Sequence, residues 1–411
     1  MTAGSSAADR LLTAAAVRDS AERLLAIALA DELEDWTVDL TRLEATADLV
    51  AEVIRQRYPR LDVPVHSRWR HFVFSGRDLW ANMAARAAWR TPDAAARAAF
   101  ELVITSVLLD AGAGVAWRFE DQATGLSAAR SEGLALASLR WFESGALSAH
   151  PAEPWRVDAA MLGRLDAVTL QRAFQSDPKN PLLGLDGRAA LLNRLSAALE
   201  SRPELFERGA SPRPGGLYDV LCAQAVAGEL PAAQILQTLL DAFGPIWEGR
   251  PHLQGVALGD CWPHPALTGN RPEDGYAALH KLSQWLSYKL IEPLETAGIR
   301  VRDVDGLTGL AEYRNGGLFI DMGVINAREP AKLTTTHRVA DAFVVGWRSL
   351  TVALLDRLAP LIRSRLGIDA ARFPLARVLE GGTWAAGRRT AREMRADGGP
   401  PFHISSDGTV F

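Results

Sequence analysis

Apolar residues recur at three- and four-residue spacing along most of the chain. Ala8–Leu33 carries this pattern, and it returns at Leu43–Arg57, Asp78–Trp89 and Asp93–Leu109, as expected of helices that bury one face. Ser131–Phe142, Gly187–Leu199, Leu217–Ala227 and Ala232–Phe243 read the same way, each closed within a few residues by Gly, Pro or a polar turn. In the last third, Gly275–Ala297 predicts a long helix stopped at Gly298. Thr336–Leu366 predicts another stopped at Gly367, and Phe373–Arg395 a helix broken at Gly381-Gly382. Strand signals are few and short: Ile299–Val301, Gly317–Ile320 and His403–Ser405. The expected fold is mainly α, with helix following helix and a few short strands. The helical pattern is suspended at Ser201–Gly216, where Pro203, Pro212 and Pro214 cluster with glycines. That seam divides the chain into an N-terminal helical region, 1–205, and a C-terminal one, 206–411; one continuous domain with the site between the halves is the alternative.

Composition sets limits on function. The chain has 411 residues, 48% hydrophobic and 23% charged, with a net charge of -4, enough for a sizeable core and too balanced for a nucleic-acid or anionic-membrane partner. Val344–Ile362 is the most apolar later stretch, yet it contains Arg348, Asp356 and Arg357, too many charges for a membrane span. Two cysteines, Cys222 and Cys261, make no disulfide framework, and the N-terminus lacks a basic region followed by an apolar run; a cytoplasmic protein is expected. The 12 Trp against 5 Tyr, and the use of only four lysines, stand out.

Several chemistries have no motif. The phosphate loop GxxxxGK[ST], the GxSxG elbow and HExxH are all missing, and Gly112-Ala113-Gly114 lacks the third glycine of a dinucleotide fingerprint. Cys261 and His264 make at most half a metal site, so neither metal nor organic cofactor is expected.

Four segments instead break the helical pattern while concentrating charge, aromatics and glycine. In His66-Ser-Arg-Trp-Arg-His-Phe72, Arg68 and Arg70 suit a phosphate and Trp69 a flat group; an ordinary turn with Trp69 in the core is the other reading. In Gly259-Asp-Cys-Trp-Pro-His-Pro265 and the helix that follows, Asp260 and Trp262 precede Lys281, Gln284 and Tyr288 on one face. Two of the four lysines lie on that helix, which favours a site role for Lys281 over a merely solvated one. In Asp305–Asp321, Glu312, Tyr313, Arg314 and Asn315 lead into Gly316-Gly317, glycines that would let a ligand approach the backbone, unless Arg314 simply caps a helix. In Glu380-Gly-Gly-Thr-Trp-Ala-Ala-Gly-Arg-Arg389, Gly381, Gly382 and Gly387 each weaken a helix by about 1 kcal/mol, so something is expected to pack against its backbone. Carboxylates at Asp260, Glu312, Asp321 and Glu380, near arginines, suit hydrolysis of a glycosidic bond.

At these same segments the sequence resembles the uracil-catabolism proteins of fungi and bacteria, over essentially its whole length. The likeness is carried by His66–Phe72, Leu108-Leu-Asp-Ala-Gly-Ala-Gly, Arg130-Ser-Glu-Gly-Leu-Ala-Leu-Ala-Ser and Gly259-Asp-Cys-Trp, then by His280-Lys-Leu-Ser-Gln-Trp-Leu, Glu312-Tyr-Arg-Asn-Gly-Gly-Leu-Phe, Leu379–Arg389 and the terminal Ser-Asp-Gly-Thr-Val-Phe. More remotely, Lys281-x-x-Gln284, Glu312-Tyr-Arg and Leu379-Glu…Trp384…Arg388 are similar to the queuosine-salvage N-ribosylhydrolases, helical relatives of DNA glycosylases, with Glu at 312 and 380 in place of Asp. The resemblance implies a glycosylase-like helical architecture and a cytoplasmic hydrolase of a small phosphorylated riboside: an N-glycosidase that splits a ribosylurea-type 5′-phosphate into urea and ribose 5-phosphate. Glu312 is the first choice for the catalytic carboxylate, with Glu380, Asp260 and Asp321 as alternates. Arg68, Arg70, Lys281, Arg314 and Arg388 would bind phosphate or ribose hydroxyls, and Trp69, Trp262 and Trp384 would wall the pocket; His66, Gln284, Tyr313 and Asn315 complete the set. A non-catalytic nucleotide-binding or regulatory subunit, and an amidohydrolase acting on the opened pyrimidine ring, are the alternatives.

Overall fold

Thr13 cuts the first predicted helix in two. In the computed structural model, which describes residues 6–65, 67–74, 76–110, 112–114, 116–207 and 211–405, Ser6 caps a short helix, Ala7–Leu11, and Thr13 caps a longer one, Ala14–Leu29. Each hydroxyl accepts a backbone N–H that a helix start leaves without a partner. The mainly α expectation holds: 55% of the structure is helical and the strands are short.

The chain folds as two compact units, neither continuous in sequence. The first draws on Met1–His66, Gly249–Trp285 and Asp303–Val410, and the second on Ser67–Glu248 and Leu286–Arg302. In the first unit the helix Ala342–Leu366 packs against Ala14–Leu29 and Leu43–Arg57, while Tyr313–Asp321 packs against Trp384–Met394. Val17, Leu24, Val50, Ile54, Trp347 and Leu354 fill its core. Small strand pairs tie its loops: Trp36–Val38 with Ile325–Ala327, Cys261–Pro263 with Tyr276–Ala278, and Thr336–Arg338 with His403–Ser405. In the second unit Pro92–Leu108 is buried on nearly every side and packs against Arg130–Glu143, Gly216–Gln224 and Leu185–Ser201.

Tertiary context overrides three of the predicted elements. Gly317–Ile320 is no strand but part of the helix Tyr313–Asp321, because Glu312 caps that helix and Gly316 lets the Trp347 ring lie against it. The Gly275–Ala297 helix begins only at Lys281, after a strand, Tyr276–Ala278, and a left-handed His280 with φ 47°. Thr336–Arg338 is likewise a strand, and the long helix starts after Asp341. At Gly381-Gly382 the helical course is not broken: it widens into a π turn, Leu379–Thr383, between Leu375–Val378 and Trp384–Met394. Cβ atoms on these two glycines would lie 2.9 Å from Val63 and 2.6 Å from Val50, so the packing expected against this backbone is there.

Candidate functional site

Asp260 organises the first unit's polar centre. Its main-chain carbonyl accepts the N–H groups of Leu279 and His280, and its carboxylate Oδ2 then accepts the N–H of Lys281 at 3.0 Å. A residue 21 positions upstream thereby caps the helix Lys281–Thr296. The Trp262 indole N–H donates to Oδ1 at 2.8 Å. The Arg348 guanidinium, fully buried, donates to Oδ1 and Oδ2 at 2.8 and 2.7 Å, a forked pair of the strong kind. Burial by itself would raise the Asp260 pKa. Arg348, the Trp262 N–H and the Lys281 N–H outweigh it and hold the carboxyl well below the usual carboxylate range. These four donors use the roughly four acceptor positions a carboxylate has, so Asp260 is a fixed anion with none left for a substrate.

One turn along, Gln284 carries this order to the next segment. Its amide donates to Thr308 Oγ1 at 2.7 Å and accepts from the Thr308 N–H at 3.2 Å. The chain then reaches Leu310, whose carbonyl accepts the Glu312 N–H and the Asn315 side-chain N–H. Glu312 adopts an extended conformation and caps the helix Tyr313–Asp321, taking the N–H of Arg314 at 2.8 Å and of Asn315 at 2.7 Å, one on each carboxylate oxygen. Burial pushes its carboxyl above the usual value, against those two N–H bonds and the charges of Lys281 and Arg314. Among the described residues, half of its acceptor capacity therefore remains. Arg314 stacks on the Tyr313 ring, 4.7 Å from the centroid, and donates to the Gly398 carbonyl at 3.0 Å.

Helix Trp384–Met394 crosses directly over this turn. A Cβ on Gly387 would lie 2.2 Å from the Arg314 carbonyl oxygen, so only glycine permits the approach. The neighbouring Arg388 guanidinium sits 3.9 Å from the centre of the Trp384 ring. Gly316, in turn, faces Trp347 and Thr351, and Gly317 faces Pro401; these glycines serve helix packing, and the expected approach of a ligand to their backbone is replaced by protein.

Asp260, Trp262, Lys281, Gln284, Glu312, Tyr313, Arg314, Asn315, Trp384 and Arg388 thus fall in one unit. The other two carboxylates stand apart in role. Asp321, at the far end of the helix Glu312 caps, is held by Arg395 at 2.7 and 2.8 Å and by the Thr390 hydroxyl. Glu380 lies in the π turn, its carbonyl accepting from Arg57. Arg68, Trp69 and Arg70 belong to the second unit. There Arg68 is fully buried on Asp110 at 2.5 Å, Trp69 is tucked into the core with its indole N–H on the Lys289 carbonyl at 2.9 Å, and Arg70 pairs with Glu292. His66 and Ser406–Phe411 lie outside the described residues. Among the described residues, no group of three or more His, Cys, Asp or Glu is placed to hold a metal ion, and no helix is long and apolar enough to cross a membrane.

Sequence reasoning missed Arg348 and Thr308. Arg348 had a signal, since an arginine in the middle of an apolar run has to bury with a partner. Thr308 had none.

The chain belongs to the family described as "Protein of unknown function (DUF1688)", whose model matches residues 10–411. Within it, the chain is similar to Protein urg3 of Schizosaccharomyces pombe, 35% identical over 410 residues and 98% of each chain. It is also similar to Uracil catabolism protein 4 of Lachancea kluyveri, 34% identical over 413 residues and 92% of each chain.

Proposed function

We propose that this chain is an enzyme of uracil degradation, an N-glycosidase that hydrolyses a ribosylurea-type 5′-phosphate to urea and ribose 5-phosphate. Similarity to a protein named for uracil catabolism supports the pathway. The observation that carries the chemistry is Glu312: a buried carboxyl, raised by burial, oriented by two backbone N–H bonds and facing the charges of Lys281 and Arg314. In this reading the C1′–N bond breaks as positive charge builds on the ribose. The Glu312 carboxylate shields that charge and takes a proton from the attacking water, whose oxygen bonds to C1′; the departing urea nitrogen takes a proton from solvent, and Glu312 returns to solvent the one it accepted. Lys281, Arg314 and Arg388 bind the phosphate and hydroxyls, and Trp262 and Trp384 exclude water. No step needs a metal or an organic cofactor, and the site of action is the cytoplasm.

Purified protein is expected to release urea and ribose 5-phosphate from synthetic ribosylurea 5′-phosphate. Glu312→Gln keeps an acceptor for the helix cap and is expected to lower kcat by about 100-fold or more, with thermal unfolding confirming that it folds. Urea release no greater than from Glu312→Gln overturns the reading. Tight binding of a uracil nucleotide without turnover would point instead to a regulatory subunit.

A further inference from the structure

Asn315 carries a group for which the described residues provide no partner. Its side-chain N–H donates to the Leu310 carbonyl at 3.1 Å, and its backbone N–H donates to Glu312 at 2.7 Å. The first bond fixes which way the amide points, since turning it over would set two carbonyl oxygens against each other. Oδ1 is thereby held as an acceptor in a residue only 2% exposed, and none of the described residues donates to it. A buried orphan acceptor is costly, and this one sits three residues from the carboxylate assigned to the reacting carbon. One residue earlier, Arg314 Nε is a buried donor that also has no partner among the described residues. The turn that Glu312 caps thus offers one unfilled acceptor and one unfilled donor. A ureido group bears the matching pair, N–H and C=O, whereas a phosphate or a ribose ether oxygen brings no N–H.

We infer that Asn315 is the residue that selects the leaving group, its Oδ1 accepting an N–H of the ureido moiety. This rests on the glycosidase reading and names the feature of the substrate that the site recognises. A site built to bond an N–H discriminates strongly against a ligand lacking it, because its own acceptor is then left unfilled.

The test compares two substrates across one substitution. Asn315→Leu removes the orphan acceptor while keeping the volume; Asn315→Ala, which also has no acceptor, serves if the leucine variant does not fold, as judged by thermal unfolding. With ribosylurea 5′-phosphate, kcat/KM is expected to fall by about 100-fold. With 4-nitrophenyl ribofuranoside 5-phosphate, whose leaving group has no N–H, it is expected to change by less than about threefold. Equal losses on both substrates overturn the assignment and leave the glycosidase reading intact. If the wild type cleaves neither, that reading falls, and binding then decides the assignment. A calorimetric preference of the wild type for ribosylurea 5′-phosphate over ribose 5-phosphate that the variant loses supports Asn315 as the ureido reader; identical preferences overturn it.

Discussion

Arg348 shows what a single side chain does when it is buried. A fully buried guanidinium survives only with a matched anion, and Asp260 supplies one through two parallel bonds. Arg348→Met removes the cation and leaves the Asp260 charge stranded, so it is expected to lower unfolding free energy at pH 7 by about 3–5 kcal/mol, read from denaturant unfolding. A loss under about 1 kcal/mol would mean the pair is not the fixed ion pair described. The two residues lie 88 positions apart, which is why sequence alone showed an arginine that needed a partner and not which carboxylate it had. Glu312 was legible for a different reason: it sits beside Tyr313 and Arg314 in sequence, and its cap bonds are local. The same locality hid nothing about Asn315 except the one fact that matters, that its Oδ1 finds no donor among the described residues.

At the level of elements, the glycines decide how closely helices meet. Gly387→Ala improves helix propensity by about 1 kcal/mol, but its Cβ would lie 2.2 Å from a backbone oxygen that cannot move aside without moving Arg314. Overpacking of that kind costs about 1–3 kcal/mol, so the variant is expected to be less stable than the wild type in thermal unfolding. Because the displaced turn also holds Glu312, activity on ribosylurea 5′-phosphate is expected to fall with it. An alanine variant as stable and as active as the wild type would contradict this geometry. The helix periodicity that predicted most elements fails where such contacts act. Gly317–Ile320 is a short apolar run that reads like a strand, yet the Glu312 cap and the Trp347 contact make it helical. The Lys281 helix starts where a distant carboxylate reaches its first N–H, a start signal that no local pattern contains.

Over the whole molecule, buried carboxyls pull the pH dependence of stability in two directions. Asp121, Asp158 and Asp260 are opposed by burial but held below their ordinary pKa by arginines and hydrogen bonds. Their stabilisation is complete above about pH 4, the unfolded value, and is lost as pH falls toward the folded one. Glu101, Glu312 and Asp356 are raised by burial, so what they contribute is greatest when they are protonated and declines as pH climbs through their raised values. Asp260→Asn isolates the first effect. The wild type's advantage over it is expected to be largest near neutral pH and to shrink by about 1.4 kcal/mol per pH unit below about pH 4, followed by chemical unfolding from pH 6 to 2. An advantage that stays constant across that range would show that Asp260 titrates normally.

The sequence by itself determined the helical class, most helix positions, the family likeness and the four polar segments, because periodicity, caps and local residue chemistry are written within a few positions of one another. Tertiary structure alone decided that Asp260 is saturated while Glu312 keeps acceptor capacity. It also showed that the paired glycines pack helices, and it placed Arg68, Trp69 and Arg70 in a different unit from the Lys281, Glu312 and Trp384 segments. Each of those facts depends on which distant groups share a low-dielectric interior, where a hydrogen bond made or missing changes a side chain's role.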